Sequence, residues 1–476
     1  MPPLPIVLPL FMAVVVFFTQ SKRWRPRLLA VTAAGHSVAT FRALTVPGDA
    51  GSSWLRLDAP GRLLLAVVSL LFLCCAVYSV GYLRYRVERA NRRFCSCILA
   101  ALGMMSLVAY AQHLGLLWVG IEASTLATAP LIYFNRTARS IEATWKYLVM
   151  SSVGIALALL GSFFVAYAAL LGGSEGSLLF GDLLAAAPGL SRPWLRAGFA
   201  LLLIGYGTKL GLVPMHTWKP DAYGEAPGVV GAILAGGLTS CAFLALLRLT
   251  QITALAGEGA WANRLLVVMG LVSMGVAGAL MLGQRDLKRM LAYSSVEHMG
   301  ILAVAAGLGG AATFAALLHL VNNALGKGVM FLSVANIHRA FGGKTTGEVR
   351  GALRRVPVSG TLFVLGLFAV TGSPPFGLFV SEVLILDSAF AARRWLVAGL
   401  FLAFLLLVFA GMGATSLAAA QGRPPLSAYR SSYRESFTTV APALLLLGLV
   451  LLFGLHVPEP VRRLVADAAT ALEVGR

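Results

Sequence analysis

The stretch GYGTKLGLVPMHTWKPDAYGEAP, residues 205–227, places a lysine inside an apolar run and a proline five residues later. A lysine is costly within a membrane, so the position of Lys209 predicts a functional role. Pro214 removes a backbone hydrogen bond and predicts a break in the helix, and His216 follows that break. Broken helices beside ionisable groups are typical of ion sites in transporters. The stretch therefore predicts an ion pathway within a membrane protein.

The composition indicates an all-α, polytopic membrane protein. Hydrophobic residues make up 58% of the 476 residues and charged residues 12%, and the mean hydropathy is +0.82. Apolar runs of about 20 residues recur along the chain, and an α-helix needs that length to cross a bilayer. The net charge of +19 lies mainly in short loops between these runs, which argues against a nucleic-acid partner.

Motifs for cofactor or metal chemistry are not visible in the sequence. The five cysteines lie in or beside apolar runs, and their spacing fits neither a zinc site nor a redox pair, so we interpret them as membrane-core residues. No phosphate-binding glycine loop, haem or metal spacing, or catalytic triad is recognisable. The sequence therefore predicts no cofactor and no bound metal, and an ion pathway driven by another gradient or by a partner.

Hydropathy windows predict about fourteen spans, two of them broken. The seventh span is interrupted at Pro214 and the twelfth at Pro374 and Pro375. A short amphipathic surface helix is predicted for the tail, residues 457–476. The predicted spans are 3–19, 28–47, 62–83, 94–111, 113–134, 144–171, 196–218, 228–250, 262–283, 290–309, 313–337, 357–390, 394–419 and 436–455.

Lysine and arginine are concentrated in the loops that follow odd-numbered spans. Cytoplasmic loops carry the excess of these residues, so the distribution places both termini outside a bacterial cytoplasmic (inner) membrane. The clusters that determine this orientation are Lys22, Arg23, Arg25 and Arg27; Arg84, Arg86, Arg89, Arg92 and Arg93; Arg285, Lys288 and Arg289; Arg339, Lys344, Arg350, Arg354 and Arg355; and Arg423, Arg430 and Arg434.

The two broken spans suggest an internal repeat. Spans four to eight and spans nine to thirteen each contain about five helices, and the fourth of each set is broken. Units with an odd number of spans enter the membrane from opposite sides, which is the inverted-repeat pattern of transporters. We therefore predict an N-terminal segment (1–93), a first half-channel (94–250), a second, inverted half-channel (262–420), and a last span with its tail (421–476).

Ionisable residues occur within or beside several predicted spans. Burial shifts the pKa of a carboxyl upward and that of an amine downward, so such groups can titrate near neutral pH. A series of them bridged by water and polar side chains is what a proton relay requires, whereas a single buried ion pair is as often structural. The candidates, with Glu297 and His298 expected at the start of span ten, are Glu122, Lys146, Lys209, His216, Glu297, His298, His319, Lys327 and Glu382.

Five motifs together resemble a known family. They are GIEASTLATAP (120–130), YGTKLGLVPMHTWKPDAYGEAP (206–227), RDLKRMLAYSSVEHMGIL (285–302), HLVNNALGKGVMFL (319–332) and TGSPPFGLFVSE (371–382). They resemble the proton-translocating membrane subunits of respiratory complex I, Mrp-type cation/proton antiporters and membrane-bound nickel–iron hydrogenases. The segments YSSVEHMGI and WKYL are most similar to the F subunit of the hydrogenase-four, or formate hydrogenlyase, branch.

The resemblance implies roles for individual residues. Glu122 and Lys209 would form the pair of the first half-channel, Lys327 with His319 would serve the second, Glu382 would be the exit residue, and Lys146 would match the lysine of span six. Two departures stand out. Ser240 occupies the span-eight position where complex I relatives usually have lysine or histidine, and Asn323 replaces a second histidine of some relatives. With Asn322, these two residues would hold water beside the relay.

The resemblance also implies partners. The chain would be a non-enzymatic subunit beside other integral membrane subunits, driven by redox chemistry in peripheral subunits, with the lipid bilayer around it and protons as the transported ion. Three alternatives remain open at this stage. They are an Mrp-like sodium/proton antiporter subunit, a membrane subunit of an inorganic-carbon uptake complex, and a membrane anchor that does not conduct.

Overall fold

The computed structural model describes residues 3–45, 52–86 and 88–473, which are almost entirely helical and contain no strand longer than an isolated bridge. The helices in these residues are α1 (Leu4–Phe18), α2 (Trp24–Thr45), α3 (Ala59–Arg84), α4 (Arg92–Tyr110), α5 (Leu114–Ile132), α6 (Ala138–Leu171), α7 (Phe180–Ala186), α8 (Arg192–Leu210), α9 (Trp218–Glu225), α10 (Gly228–Ile233), α11 (Thr239–Thr253), α12 (Gly259–Met281), α13 (Leu287–Leu308), α14 (Ala311–Phe341), α15 (Ala352–Arg355), α16 (Pro357–Val370), α17 (Gly377–Ala391), α18 (Trp395–Ala420), α19 (Phe437–Leu455) and α20 (Glu459–Glu473). The predicted all-α class is confirmed.

Nine helices within the described residues are long and apolar enough to cross a membrane. One of them, Gly228–Met281, runs for 54 residues through α10, α11 and α12 and corresponds to two predicted spans. The first two helices and the pieces of the broken spans also coincide with predicted spans. They are too short or too polar to be counted among the nine helices that could cross a membrane. Residues 46 and 47 of the second predicted span lie outside the described residues. The count of about fourteen therefore stays a prediction.

Both predicted helix breaks are present. α8 ends at Leu210 and α9 begins at Trp218, with Pro214 between them, and α16 and α17 are separated by the segment that contains Pro374 and Pro375. Each break starts at a glycine with positive φ, Gly211 at 73° and Gly372 at 62°. Glycine adopts this conformation without a steric penalty, and proline cannot continue the backbone hydrogen bonds.

The start of α13 corrects the sequence-based expectation. The Asp286 side chain accepts hydrogen bonds from the backbone N–H groups of Lys288 and Arg289, at 2.9 and 3.1 Å. This is an N-terminal cap, and it starts the helix at the next residue after Asp286. Glu297 and His298 consequently lie in the middle of a 22-residue helix rather than near its end, and both are buried.

Polar and apolar side chains are distributed as expected for a protein surrounded by lipid. Several lysines, histidines and asparagines are fully buried, while large apolar side chains such as Phe11 and Leu406 are exposed. Close approach between helices relies on small residues, because a Cβ on Gly161 would lie 2.8 Å from the carbonyl oxygen of Gly198 in the neighbouring helix. The polar groups are thus enclosed by tightly packed helices.

The C-terminal tail forms the predicted surface helix, α20, and residues 474–476 lie outside the described part. Its apolar side packs against α3 and α14. On the other side, hydrogen bonds from Arg463 and Arg462 hold the pKa of the Glu459 carboxyl below its usual range. The helix therefore lies along the bundle and presents its charged side outward.

Candidate functional site

The first cluster consists of Lys209, Glu122 and Thr125. The Lys209 ammonium lies 2.9 Å from Glu122 Oε2 and donates to Thr125 Oγ1 at 2.6 Å. Lys209 is 0% exposed and the Glu122 side chain 15% exposed, so the carboxylate is the member of the pair that is nearer to the surroundings. The structure therefore forms the pair that the sequence suggested, between α5 and the end of α8.

The helix break holds Lys209 in place. Lys209 is in the last turn of α8, where backbone carbonyls lose their helical partners. The Trp218 indole N–H of α9 donates to one of these carbonyls, that of Thr208, at 2.9 Å. α9 thus closes over the end of α8 and fixes the turn that carries the lysine.

The second cluster joins α13, α14 and α17. The Lys327 ammonium donates to Ser294 Oγ at 2.5 Å. His298 Nδ1 and His319 Nε2 are 3.1 Å apart, and His319 Nδ1 is 2.9 Å from Ser381 Oγ. His298 Nε2 also lies 3.5 Å from a carboxylate oxygen of the adjacent glutamate. This second cluster comprises Ser294, Glu297, His298, His319, Lys327, Ser381 and Glu382, all of which are buried.

Asn322 and Gly372 connect the second cluster to the second break. The Asn322 side-chain amide donates to the carbonyls of Leu318 and Gly377, at 3.0 and 3.2 Å, and so ties α14 to the start of α17. Gly372 packs directly against the Glu382 carboxylate, which leaves no room for a Cβ there. The first broken span therefore carries a buried lysine, Lys209, in the turn before its break. The second places the buried Glu382 carboxyl group against Gly372.

Three members of the second cluster have the ligand types that bind a metal ion. One ligand atom from each of His298, His319 and Glu382 lies within 4.8 Å of the others, and all three residues are buried. Glu382 Oε1 and His298 Nε2 have no hydrogen-bond partner among the described residues. Sequence spacing did not reveal this set, because its members come from three different helices.

Four other candidates lie outside the two clusters. Lys146 is 47% exposed and pairs with Glu142 at 2.7 Å and Asp221 at 2.9 Å. His216 is half-buried within the first break. The Ser240 hydroxyl donates to the carbonyl of Gly236 in its own helix at 2.6 Å, and Asn323 is buried with its side-chain oxygen unpartnered among the described residues. Their roles beside the relay stay predictions.

Two buried lysines were not recognised from the sequence. Lys219 donates to Ser295 Oγ at 3.0 Å, and Lys288 donates to the carbonyl of Ala226 at 3.0 Å. Lys219 lies in WKPD, which looks like a polar exit from the membrane. Pro214, five residues before Lys219, was the available signal, because a chain that breaks there can fold an eight-residue helix back into the bundle.

A charged network anchors α9 at one end of the bundle. Asp221 pairs with Arg289 and Lys146, while Glu225 pairs with Lys344 at 2.9 Å. Lys344 also lies 3.1 Å from the cap of α13, Asp286. The first break is therefore held to the loops that precede α13 and follow α14, on the side rich in basic residues.

The fold and the two clusters define an ion-translocating type of membrane protein, with charged groups buried beside two broken helices. Residues 111–408 match the family described as "NADH:quinone oxidoreductase/Mrp antiporter, TM". The chain belongs to this family, and it is an antiporter-like membrane subunit of the complex I and hydrogenase-4 group.

Two relatives support this conclusion at the level of sequence. The chain is 36% identical over 359 residues to the hydrogenase-4 component F homolog of Methylacidiphilum infernorum, covering 74% of this chain and 75% of the relative. It is 30% identical over 472 residues to NADH-quinone oxidoreductase subunit N of Deinococcus radiodurans, covering 95% and 93%. The resemblance to the hydrogenase-four branch is confirmed.

A solved structure supports the fold. A chain of the membrane-bound sulfane sulfur reductase, an archaeal respiratory membrane complex, superposes with a TM-score of 0.89 over 99% of this chain and 97% of its own length. The sequence identity is 22%, so this likeness concerns the arrangement of helices alone.

Proposed function

We propose that this protein is the proton-conducting transmembrane subunit of a redox-driven energy-converting complex of the hydrogenase-4 type. The observation that carries the proposal is the Lys209–Glu122 pair, fully or largely buried at 2.9 Å beside a broken helix. Such a pair can hold or release a proton as it closes and opens, because each partner favours the charged form of the other. The redox chemistry would belong to peripheral subunits, and this chain would supply the path.

The proposed path has two halves. In the first, protons exchange with the Lys209 amine through the Glu122 carboxylate. In the second, they pass through Lys327 and the hydrogen-bonded histidines His298 and His319, and leave through Glu382. Neutral histidine both donates and accepts, so the 3.1 Å contact between the two rings supports transfer.

The proposed architecture has two inverted units, 94–250 and 262–420, in a bacterial cytoplasmic membrane with both termini outside. In each unit the second helix carries a buried acid, Glu122 in α5 and Glu297 in α13, and the broken fourth helix carries a buried charged group, Lys209 or Glu382. This correspondence supports the repeat. The basic residues at the α9 anchoring network support the orientation.

The first experiment identifies the driving partner. The tagged protein would be purified in mild detergent, and the subunits that co-purify would be identified by mass spectrometry. Nickel–iron hydrogenase or complex-I-like subunits are the expected result. Recovery with small antiporter-type subunits alone, together with sodium-dependent proton exchange in vesicles, would contradict the redox-driven proposal.

The second experiment tests conduction in the purified complex. Lys209→Ala should abolish proton transfer in liposomes while the complex still assembles. Lys209→Arg should not restore transfer, because a guanidinium stays protonated and cannot pass a proton on. Full proton coupling in an assembled Lys209→Ala complex would show that the chain is an anchor and not a conductor.

A further inference from the structure

Lys219 is a buried amine with no carboxylate among its hydrogen-bond acceptors in the described part of the chain. Its side chain has no exposed area, and its Nζ donates to the Ser295 hydroxyl at 3.0 Å and lies 5.9 Å from the centre of the Tyr223 ring. Burying an amine is unfavourable unless it is well paired. A purely space-filling role would be served equally well by methionine, so the amine calls for another explanation.

The outer part of the Lys219 side chain lies next to the turn that follows Lys209. A Cβ placed on Gly211 would be 2.5 Å from Cδ and Cε of Lys219 and 3.1 Å from its Nζ. Gly211 comes two residues after Lys209 and has a φ of 73°. Glycine therefore allows the turn at the end of α8 and also leaves the space that the Lys219 side chain occupies.

The amine of Lys219 lies next to the second cluster. Ser295 accepts its hydrogen bond, and the preceding residue, Ser294, accepts the hydrogen bond from Lys327 at 2.5 Å. Ser294 and Ser295 are consecutive residues of α13, so the two lysines, which come from different halves, contact the same turn of this helix. A hydroxyl both accepts and donates, which suits it to pass a proton between them.

We propose that Lys219 links the two half-channels, in the role that Ser240 cannot fill. The Ser240 hydroxyl has no titratable proton near neutral pH and is bonded to its own helix. In one transfer, the neutral Lys219 amine accepts a proton from the side of Lys209. The ammonium then donates one proton to the Ser295 hydroxyl while that hydroxyl gives up its own proton toward the second cluster, where a neutral Lys327 amine takes it up. The lysine returns to its starting state, so the step balances. This link rests on the proposed function.

The test compares two substitutions in the purified complex, reconstituted in liposomes, with proton transfer measured per turnover of the co-purifying enzyme. Lys219→Met keeps the length of the stem, and Lys219→His keeps a titratable group. A relay residue predicts that Met lowers transfer by about tenfold or more and that His retains more than Met. Lys288→Met, which removes another fully buried lysine that is bound to a backbone carbonyl, is the matched control and should retain transfer.

The outcomes separate this link from the function on which it rests. Wild-type transfer in Lys219→Met, or His performing no better than Met, would overturn the link. If Lys209→Ala abolishes transfer in the same preparation, the proposed function stands even then. If Lys219→Met does not assemble, Ser295→Ala decides: a measurable loss supports the link, and unchanged transfer overturns it.

Discussion

The Glu122–Lys209 pair allows stability and function to be separated. Removing one partner leaves an uncompensated charge inside the protein, whereas removing both leaves none. At 2.9 Å and an effective dielectric constant of 20, the attraction between the charges is about 6 kcal/mol, most of which offsets their desolvation. Breaking such a pair by a single substitution typically costs about 3–5 kcal/mol.

The expected order of stability follows from this arithmetic. Glu122→Gln should be several degrees less stable than wild type, because Lys209 keeps its buried charge. The double variant Glu122→Gln with Lys209→Met should recover to within about 1 kcal/mol of wild type, because well-packed neutral groups can replace a buried pair. The midpoint of thermal unfolding in detergent, followed by intrinsic fluorescence, measures both.

Proton transfer should not follow stability. The double variant is expected to fold and assemble yet transfer no protons, because its first cluster has lost both titratable groups. The reasoning would be refuted by a Glu122→Gln protein as stable as wild type, which would mean that water already solvates the Lys209 charge. Equal destabilisation of the single and double variants would refute it as well, since the cost would then come from packing.

Three further predictions concern other parts of the site. Asn322→Ala should destabilise the protein by about 1–2 kcal/mol, measured by thermal unfolding, because the Gly377 carbonyl at the second break and the Leu318 carbonyl in α14 both lose the side-chain donor. Gly372→Ala should lower both stability and proton transfer, since φ is 62° and the added methyl meets the Glu382 carboxylate; unchanged transfer would show that this contact is dispensable. Lys146→Met should leave stability close to that of wild type and reduce transfer less than Lys209→Met, because Lys146 is 47% exposed and water can replace it; equal losses of transfer would contradict this.

The helix breaks and the first pair could be predicted from local sequence. Pro214 and Pro374 each remove a hydrogen bond from the backbone at their own position. A lysine within an apolar run is costly to bury in a membrane whatever the surrounding fold. Lys209 and Glu122 are 87 residues apart. They could nevertheless be proposed as partners, because their charges are opposite and few other ionisable groups lie in neighbouring spans.

The position of α9 was not predictable in the same way. WKPDAYGE is polar on average, and a hydropathy window reads it as the end of a span. Packing of Trp218 against the end of α8 and ion pairs from Asp221 bring this segment back into the bundle, so that Lys219 becomes fully buried. The burial of Lys219 depends on residues far away in the sequence, and the local signal, Pro214, indicates only that the chain breaks there.

The sequence by itself determined that this is an all-α membrane protein with two broken helices and charged groups inside it. Those properties follow from hydrophobic length, proline geometry and the cost of burying charge, each of which is set by the local residues. Apart from the Glu122–Lys209 pair, the tertiary structure alone decided which polar groups meet. The contacts from His298 through His319 to Ser381 join three helices, and the lysines of the two halves reach consecutive serines of α13, because close packing sets the position of each helix against its neighbours.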